Sequence, residues 1–147
     1  HPASGVPAGS VLYVHPFAEE MNKSRRMAAL QARAFAARGY NVLQIDLFGC
    51  GDSSGDFGDA RWNAWNEDLA LAADWIARHT EGPMHLWGLR LGALLALDYS
   101  RQASASFAGL LLWQPVISGA QFMTQFLRLR LASEMLSGAS RRTAFSA

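Results

Sequence analysis

The sequence predicts an α/β fold, a doubly wound, mainly parallel sheet with helices on both faces. Three observations carry that expectation. Short apolar runs alternate with amphipathic stretches of more than ten residues, an order that builds strand–helix–strand units and a parallel sheet. Clusters of Gly, Pro, Asp and Ser punctuate the boundaries. A chain of 147 residues, 50% hydrophobic and 17% charged, is large enough for one domain with a buried core.

The elements follow in order. Val11-Leu12-Tyr13-Val14 is a first strand, ending at His15-Pro16. Asn22 or Ser24 caps a helix that runs to Arg38, with Met27, Leu30, Ala34 and Ala37 at helical spacing and Gly39 just past its end. Residues 40–47 form the second strand, stopped by a loop rich in Gly, Asp and Ser from 49 to 59. Trp62, Trp65, Leu69, Ala72 and Ile76 mark one face of a long helix closed by Gly82-Pro83. Residues 84–87 make the third strand, 91–101 the next helix and 108–113 the fourth strand. The stretch 119–136 sets Phe122, Phe126 and Leu129 against Arg128, Arg130 and Glu134, the pattern of a lid or partner-docking helix. The small, polar residues 137–147 are expected to form a flexible tail.

Composition narrows the function. A net charge of +1 leaves no electrostatic footprint for nucleic acid. Cys50 is the single cysteine, so no internal disulfide forms and a reducing, cytoplasmic setting fits. No apolar run approaches the ~18 residues of a membrane span. His1-Pro2-Ala3-Ser4-Gly5 has neither the basic start nor the apolar stretch of a signal peptide. With no Cys/His cluster, no His-Glu-x-x-His and no calcium loop, neither a metal nor a cofactor is expected.

Gly88-Leu89-Arg90-Leu91-Gly92 carries the chemistry. It has the Gly-x-Ser-x-Gly spacing of a nucleophile elbow, between a strand and a helix, with arginine in place of serine. Asp46-Leu47-Phe48-Gly49-Cys50-Gly51-Asp52-Ser53-Ser54-Gly55 follows the second strand. Together these motifs resemble the α/β-hydrolase superfamily, whose corresponding loop commonly reads Asp-x-Arg-Gly-x-Gly-x-Ser-x-Gly; here Phe48 replaces the usual arginine. His15-Pro16-Phe17 stands where the superfamily has its His-Gly oxyanion loop. The resemblance implies backbone N–H donors at Phe17 and Leu91, elbow glycines Gly88 and Gly92, and a pocket loop with Asp46, Gly49, Gly51 and Ser53. The run Pro16-Phe17-Ala18-Glu19-Glu20-Met21-Asn22-Lys23-Ser24-Arg25-Arg26-Met27, with 46–58, 87–92 and Leu112-Trp113-Gln114-Pro115, is similar to the type 2 exosortase A system-associated hydrolases. That similarity implies a hydrolase, a cytoplasmic location and a link to exopolysaccharide or PEP-CTERM export.

Arginine has a pKa above ~12 and no free lone pair, so Arg90 cannot attack as serine does. Its donors suit a carboxylate or phosphate. A charge buried at the elbow needs a partner, and Glu19 and Glu20 lie on the facing loop. Ser53, Ser54 and Cys50 have no obvious histidine partner, while His79 and His85 read as structural residues of a helix end and a strand. After Arg90 there is no histidine, and the only acids are Asp98 and Glu134. A triad whose acid and histidine follow the nucleophile is therefore incomplete. The single domain, residues 1–136, is expected to be a partial hydrolase core. Two functions follow. One is an ester, thioester or amide hydrolase using activated water, with His15, Glu19 or Glu20 as acid or base. The other is an inactive protein whose Arg90 holds an anionic ligand or an ion pair. The expected partner is a small-molecule substrate or anion, with 119–136 available for a protein contact. A Rossmann-like nucleotide binder fits less well, because Gly49-x-Gly51 follows the second strand and its third glycine falls at 55 rather than 54.

Overall fold

The structure, a computed structural model, describes residues 5–144. Its elements are β1 (Gly9–Val14), α1 (Glu19–Ala37), β2 (Tyr40–Gln44), a 3₁₀ turn (Phe57–Asp59), α2 (Trp62–His79), β3 (Met84–Leu89), α3 (Leu91–Gln102), β4 (Gly109–Trp113) and α4 (Gly119–Ala144). The chain divides into two compact units, the first ending at Pro115 and the second beginning at Val116.

In the first unit the four strands form one parallel sheet in the order β2-β1-β3-β4. Pleating sends alternate side chains to opposite faces. Val11, Tyr13, Trp87 and Leu89 thus form one buried cluster with Ala28 of α1, flanked by Met27, Phe35 and Trp113. Tyr13 and Trp87 are paired across the strands, their rings 4.3 Å apart. Leu12, Val14 and Leu86 point the other way and are fully buried, as are Leu69, Ala73, Leu95 and Ala96 of α2 and α3. The fold is the α/β arrangement that the alternation of elements predicts.

The winding places the crevice. From β1 the chain passes through α1 to β2 on one side, then returns through α2 to β3 on the other. The strand order reverses between β1 and β3, and ligands of open α/β sheets sit beyond the carboxyl ends of the strands at that point. Val14 and Gly88 are register partners at those ends.

Several boundaries differ from the sequence expectation. α1 starts at Glu19, before the expected caps. Its N-cap is Ala18, with no side-chain hydrogen bond, and Ser24 instead donates back to the Met21 carbonyl at 3.1 Å. Glu19 and Glu20 in the first turn complement the helix dipole in place of a cap. β2 stops at Gln44 rather than 47, because the Leu47 amide leaves the sheet and donates to His15.

In the second unit, α4 opens with the Gln121 amide on Ser118 Oγ at 3.4 Å and carries an Arg130–Glu134 pair at 3.4 Å. Its helical backbone continues past residue 136, where the expected tail begins, to Ala144. Residues 145–147 of that tail lie outside the described residues. Phe122 is buried, whereas Leu129, expected on the same apolar stripe, is 73% exposed.

Candidate functional site at the strand-end crevice

The turn from β3 into α3 is as sharp as the glycine spacing predicts. Arg90 is the N-cap of α3 and takes φ 57°, ψ −118°, a conformation L-residues rarely hold. A Cβ on Gly88 would lie 2.7 Å from the Ala93 nitrogen, and one on Gly92 would meet the carbonyl oxygens of Val14 and His15. Gly88 therefore lets α3 fold back tightly on β3, and Gly92 lets it begin against the end of β1. The Arg90 amide is held by the Trp113 carbonyl at 3.0 Å.

A second strained residue stands opposite. Ala18, after β1, has φ 50° and ψ −128°, close to the angles of Arg90. Gln114, after β4, also has a positive φ of 42°. All three follow carboxyl ends of strands, so backbone strain is concentrated around the crevice. Composition does not signal the strain at Ala18 and Gln114, since neither is glycine.

Arg90 pairs with Glu20, Nε to Oε1 at 3.5 Å. Glu19, the other acidic candidate, is exposed. The expectation of a buried charge needs correction: the Arg90 and Glu20 side chains are 37% and 40% exposed, because the guanidinium reaches out of the turn toward α1. Glu20 Oε2 is nonetheless buried and has no hydrogen-bond partner. Leu91 is the first residue of α3, so its N–H has no acceptor within the helix and points out at the positive end of the dipole. Phe17 lies on the facing loop, and its ring packs 4.9 Å from Phe57 and 5.9 Å from Trp65.

His15 occupies the strand end as expected but is fully engaged. Nε2 accepts the Leu47 amide at 3.1 Å, which leaves the proton on Nδ1 to be donated to the Pro16 carbonyl at 2.7 Å. Burial holds its pKa below the ordinary histidine value, so the ring stays neutral. In this arrangement His15 joins β1 to the loop after β2 and has no nitrogen left for a substrate. The sequence cannot reveal this, because the acceptor and donor are 32 residues apart.

The glycine-rich loop is braced from two sides. Asp46 accepts the Asp52 amide at 3.0 Å and faces Arg25 of α1 at 3.6 Å. Asp68 of α2 takes the Phe48 amide at 2.7 Å, and Trp65 donates its indole N–H to the Phe48 carbonyl at 3.0 Å. Arg25, Trp65 and Asp68 are thus site-shaping residues that spacing alone did not single out. Gly49 and Ser53 close tight turns, Gly49 N–H on Ser54 O at 3.0 Å and Ser53 N–H on Cys50 O at 3.1 Å. An apolar cavity of about 10 Å³, no larger than one water, lies under this loop against His15, Phe17, Cys50, Trp65, Leu91 and Leu95. Burial pushes the Cys50 thiol up, with Asp46 and Asp68 adding to the effect, so the sulfur stays protonated and is a poor nucleophile.

The other two histidines among the described residues stand apart. His79 stacks on Trp75 at 4.3 Å near the end of α2. His85 lies five residues before Arg90 along the strand direction, roughly 16 Å away at ~3.3 Å per residue. Asp98 holds the Trp62 indole N–H at 2.7 Å, which keeps its carboxyl below the usual carboxylate range. Among the described residues no His, Cys, Asp and Glu cluster is arranged to hold a metal, and no helix is long and apolar enough to cross a membrane.

The family model of serine aminopeptidase, S33, matches residues 5–145. A metagenome-derived lipolytic enzyme superposes with a TM-score of 0.64 at 24% identity, covering 78% of this chain and 45% of its own. A serine hydrolase without a lid from Xanthomonas campestris gives 0.60 at 19%, covering 76% and 60%. An α/β serine hydrolase homologue from Coxiella burnetii gives 0.63 at 20%, covering 76% and 52%. The chain thus spans about half the length of the solved structures it matches. No curated protein matches it.

Proposed function

This chain belongs to the serine aminopeptidase S33 family of α/β hydrolases, and we propose that within it the chain binds an acyl compound, an ester, thioester or amide, without forming an acyl-enzyme. One observation carries the reading: the elbow has its strained turn, φ 57° and ψ −118°, but presents arginine. A guanidinium has no electron pair to give a carbonyl carbon, while its N–H groups and those of Leu91 and Phe17 are suited to a carbonyl oxygen that gains negative charge. Hydrolysis then proceeds by direct attack of water. The water oxygen bonds to the carbonyl carbon, its proton passes to a carboxylate, and the leaving oxygen, sulfur or nitrogen takes up that proton as it departs. Glu20 is the carboxylate beside Arg90, and Glu19 is its more exposed neighbour. His15, whose two ring nitrogens both bond backbone groups, is not assigned this role in the reading.

The resemblance of residues 16–27 to type 2 exosortase A system-associated hydrolases supports a substrate linked to exopolysaccharide export and a cytoplasmic site of action. The helix at 119–136 is proposed to serve as a lid or a protein contact. The test is stopped-flow turnover of p-nitrophenyl acetate, an acyl thioester and an anilide by wild type, Arg90→Gln and Glu20→Gln. We expect linear progress without a burst, and a loss of about a hundredfold or more in Glu20→Gln. A burst equal to the protein concentration, or turnover untouched by Arg90→Gln, would contradict the reading. Binding without turnover would leave Arg90 as the anchor of a ligand-binding protein.

A further inference from the structure

The Arg90–Glu20 pair is poorly made for a structural ion pair. The contact is a single one, through Nε at 3.5 Å, where a bidentate fork would be stronger. Both side chains are more than a third exposed, so water screens their attraction. Glu20 Oε2 is buried with no hydrogen-bond partner, an arrangement that costs free energy and gains nothing in return. Glu20 also lies in the first turn of α1, where the helix dipole supports its charge whether or not it touches Arg90. Release of the pair is therefore cheap, and what it uncovers is a guanidinium at the start of α3, whose own positive end favours anions.

We propose that Glu20 stands in for a carboxylate of the ligand. The site takes acyl compounds that carry a second, free carboxylate, such as half-esters of dicarboxylic acids, and this carboxylate displaces Glu20 from Arg90. The inference rests on the acyl-binding reading above and specifies its ligand class: the Arg90 guanidinium, with five N–H donors, takes the ligand carboxylate, the Leu91 N–H faces the carbonyl oxygen, and the displaced Glu20 is left to accept the water's proton. It makes Glu20 a specificity-determining residue that weakens half-ester binding by competing for Arg90 and leaves neutral diesters unaffected.

The experiment is an NMR titration of wild type, Glu20→Gln, Glu20→Ala and Arg90→Gln with monoethyl succinate and with neutral diethyl succinate. Removing the competing carboxylate should tighten monoethyl succinate about two- to fivefold in both Glu20 variants, the range an exposed pair supplies. Diethyl succinate should be unchanged, and Arg90→Gln should lose the preference for the half-ester. Unchanged or weaker half-ester binding in the Glu20 variants, with Arg90 still required, would overturn this inference and leave the acyl-binding reading intact. Failure of both esters to bind any of the four proteins would overturn the acyl-binding reading itself, and this inference with it.

Discussion

Replacing Gly92 by alanine tests whether the close approach of α3 to β1 builds the site. The added Cβ would meet the carbonyl oxygens of Val14 and His15 and lie 2.9 Å from the His15 carbonyl carbon. Ordinary carbon contacts lie at about 3.5–4.0 Å, so one backbone must recede by roughly 1 Å. Neither can do so freely. Val14 is paired with Gly88, and the His15 ring is held by the Leu47 amide. Overpacking a tight site costs about 1–3 kcal/mol, and a clash confined to backbone atoms belongs at the upper end, about 3 kcal/mol. For a chain of this size that lowers Tm by ~6–12 °C. In urea, with a slope of about 2 kcal/mol per molar, the midpoint should fall by roughly 1.5 M. Gly58→Ala is the matched control, since no atom lies within 4 Å of its Cβ position. It should stay within about 0.5 kcal/mol of wild type. Far-UV circular dichroism in urea reads both. Equal midpoints for the two variants would refute the argument that Gly92 is fixed by contact with β1.

Other predictions concern the histidine and the loop. Because burial lowers the folded pKa of His15, the unfolded chain binds its proton first as pH falls. Stability is therefore full above about pH 6.5 and declines below it toward the folded pKa, by at most ~1.4 kcal/mol per pH unit. Urea midpoints at about pH 7.5 and about pH 5.5 should differ more in wild type than in His15→Gln, which removes this titration; equal slopes would count against a neutral, buried His15. Gly51→Ala would push a Cβ into the Asp46 carboxylate at a backbone φ of 56°. It should cost about 1–3 kcal/mol and speed hydrogen exchange at the Asp52 amide, and unchanged protection there would contradict the bracing role of Asp46.

The parallel sheet was readable from sequence because each element carries its own period, as in Trp65, Leu69, Ala72 and Ile76 of α2, all buried. The tight turn between β3 and α3 was readable because two glycines at fixed spacing report it. What was hidden depends on contacts between distant segments. The neutral state of His15 requires Leu47, the bracing of Phe48 requires Asp68, and the partner of Arg90 is Glu20 rather than Glu19. The start of α1 was missed for a local reason: Ala18 forms the cap by backbone conformation and carries no capping side chain. The exposure of Arg90 was missed because a motif fixes where a backbone turns but not where a long, flexible side chain ends.

The central claim is that the elbow of this family member holds a ligand and does not attack it. Intact-mass spectrometry after incubation with an excess of a fluorophosphonate, which adds covalently to an activated serine, tests it most directly. The account predicts that the protein mass stays unchanged. An adduct of one phosphonyl group per chain, mapped to Ser53, Ser54 or any other residue of this chain, would contradict it.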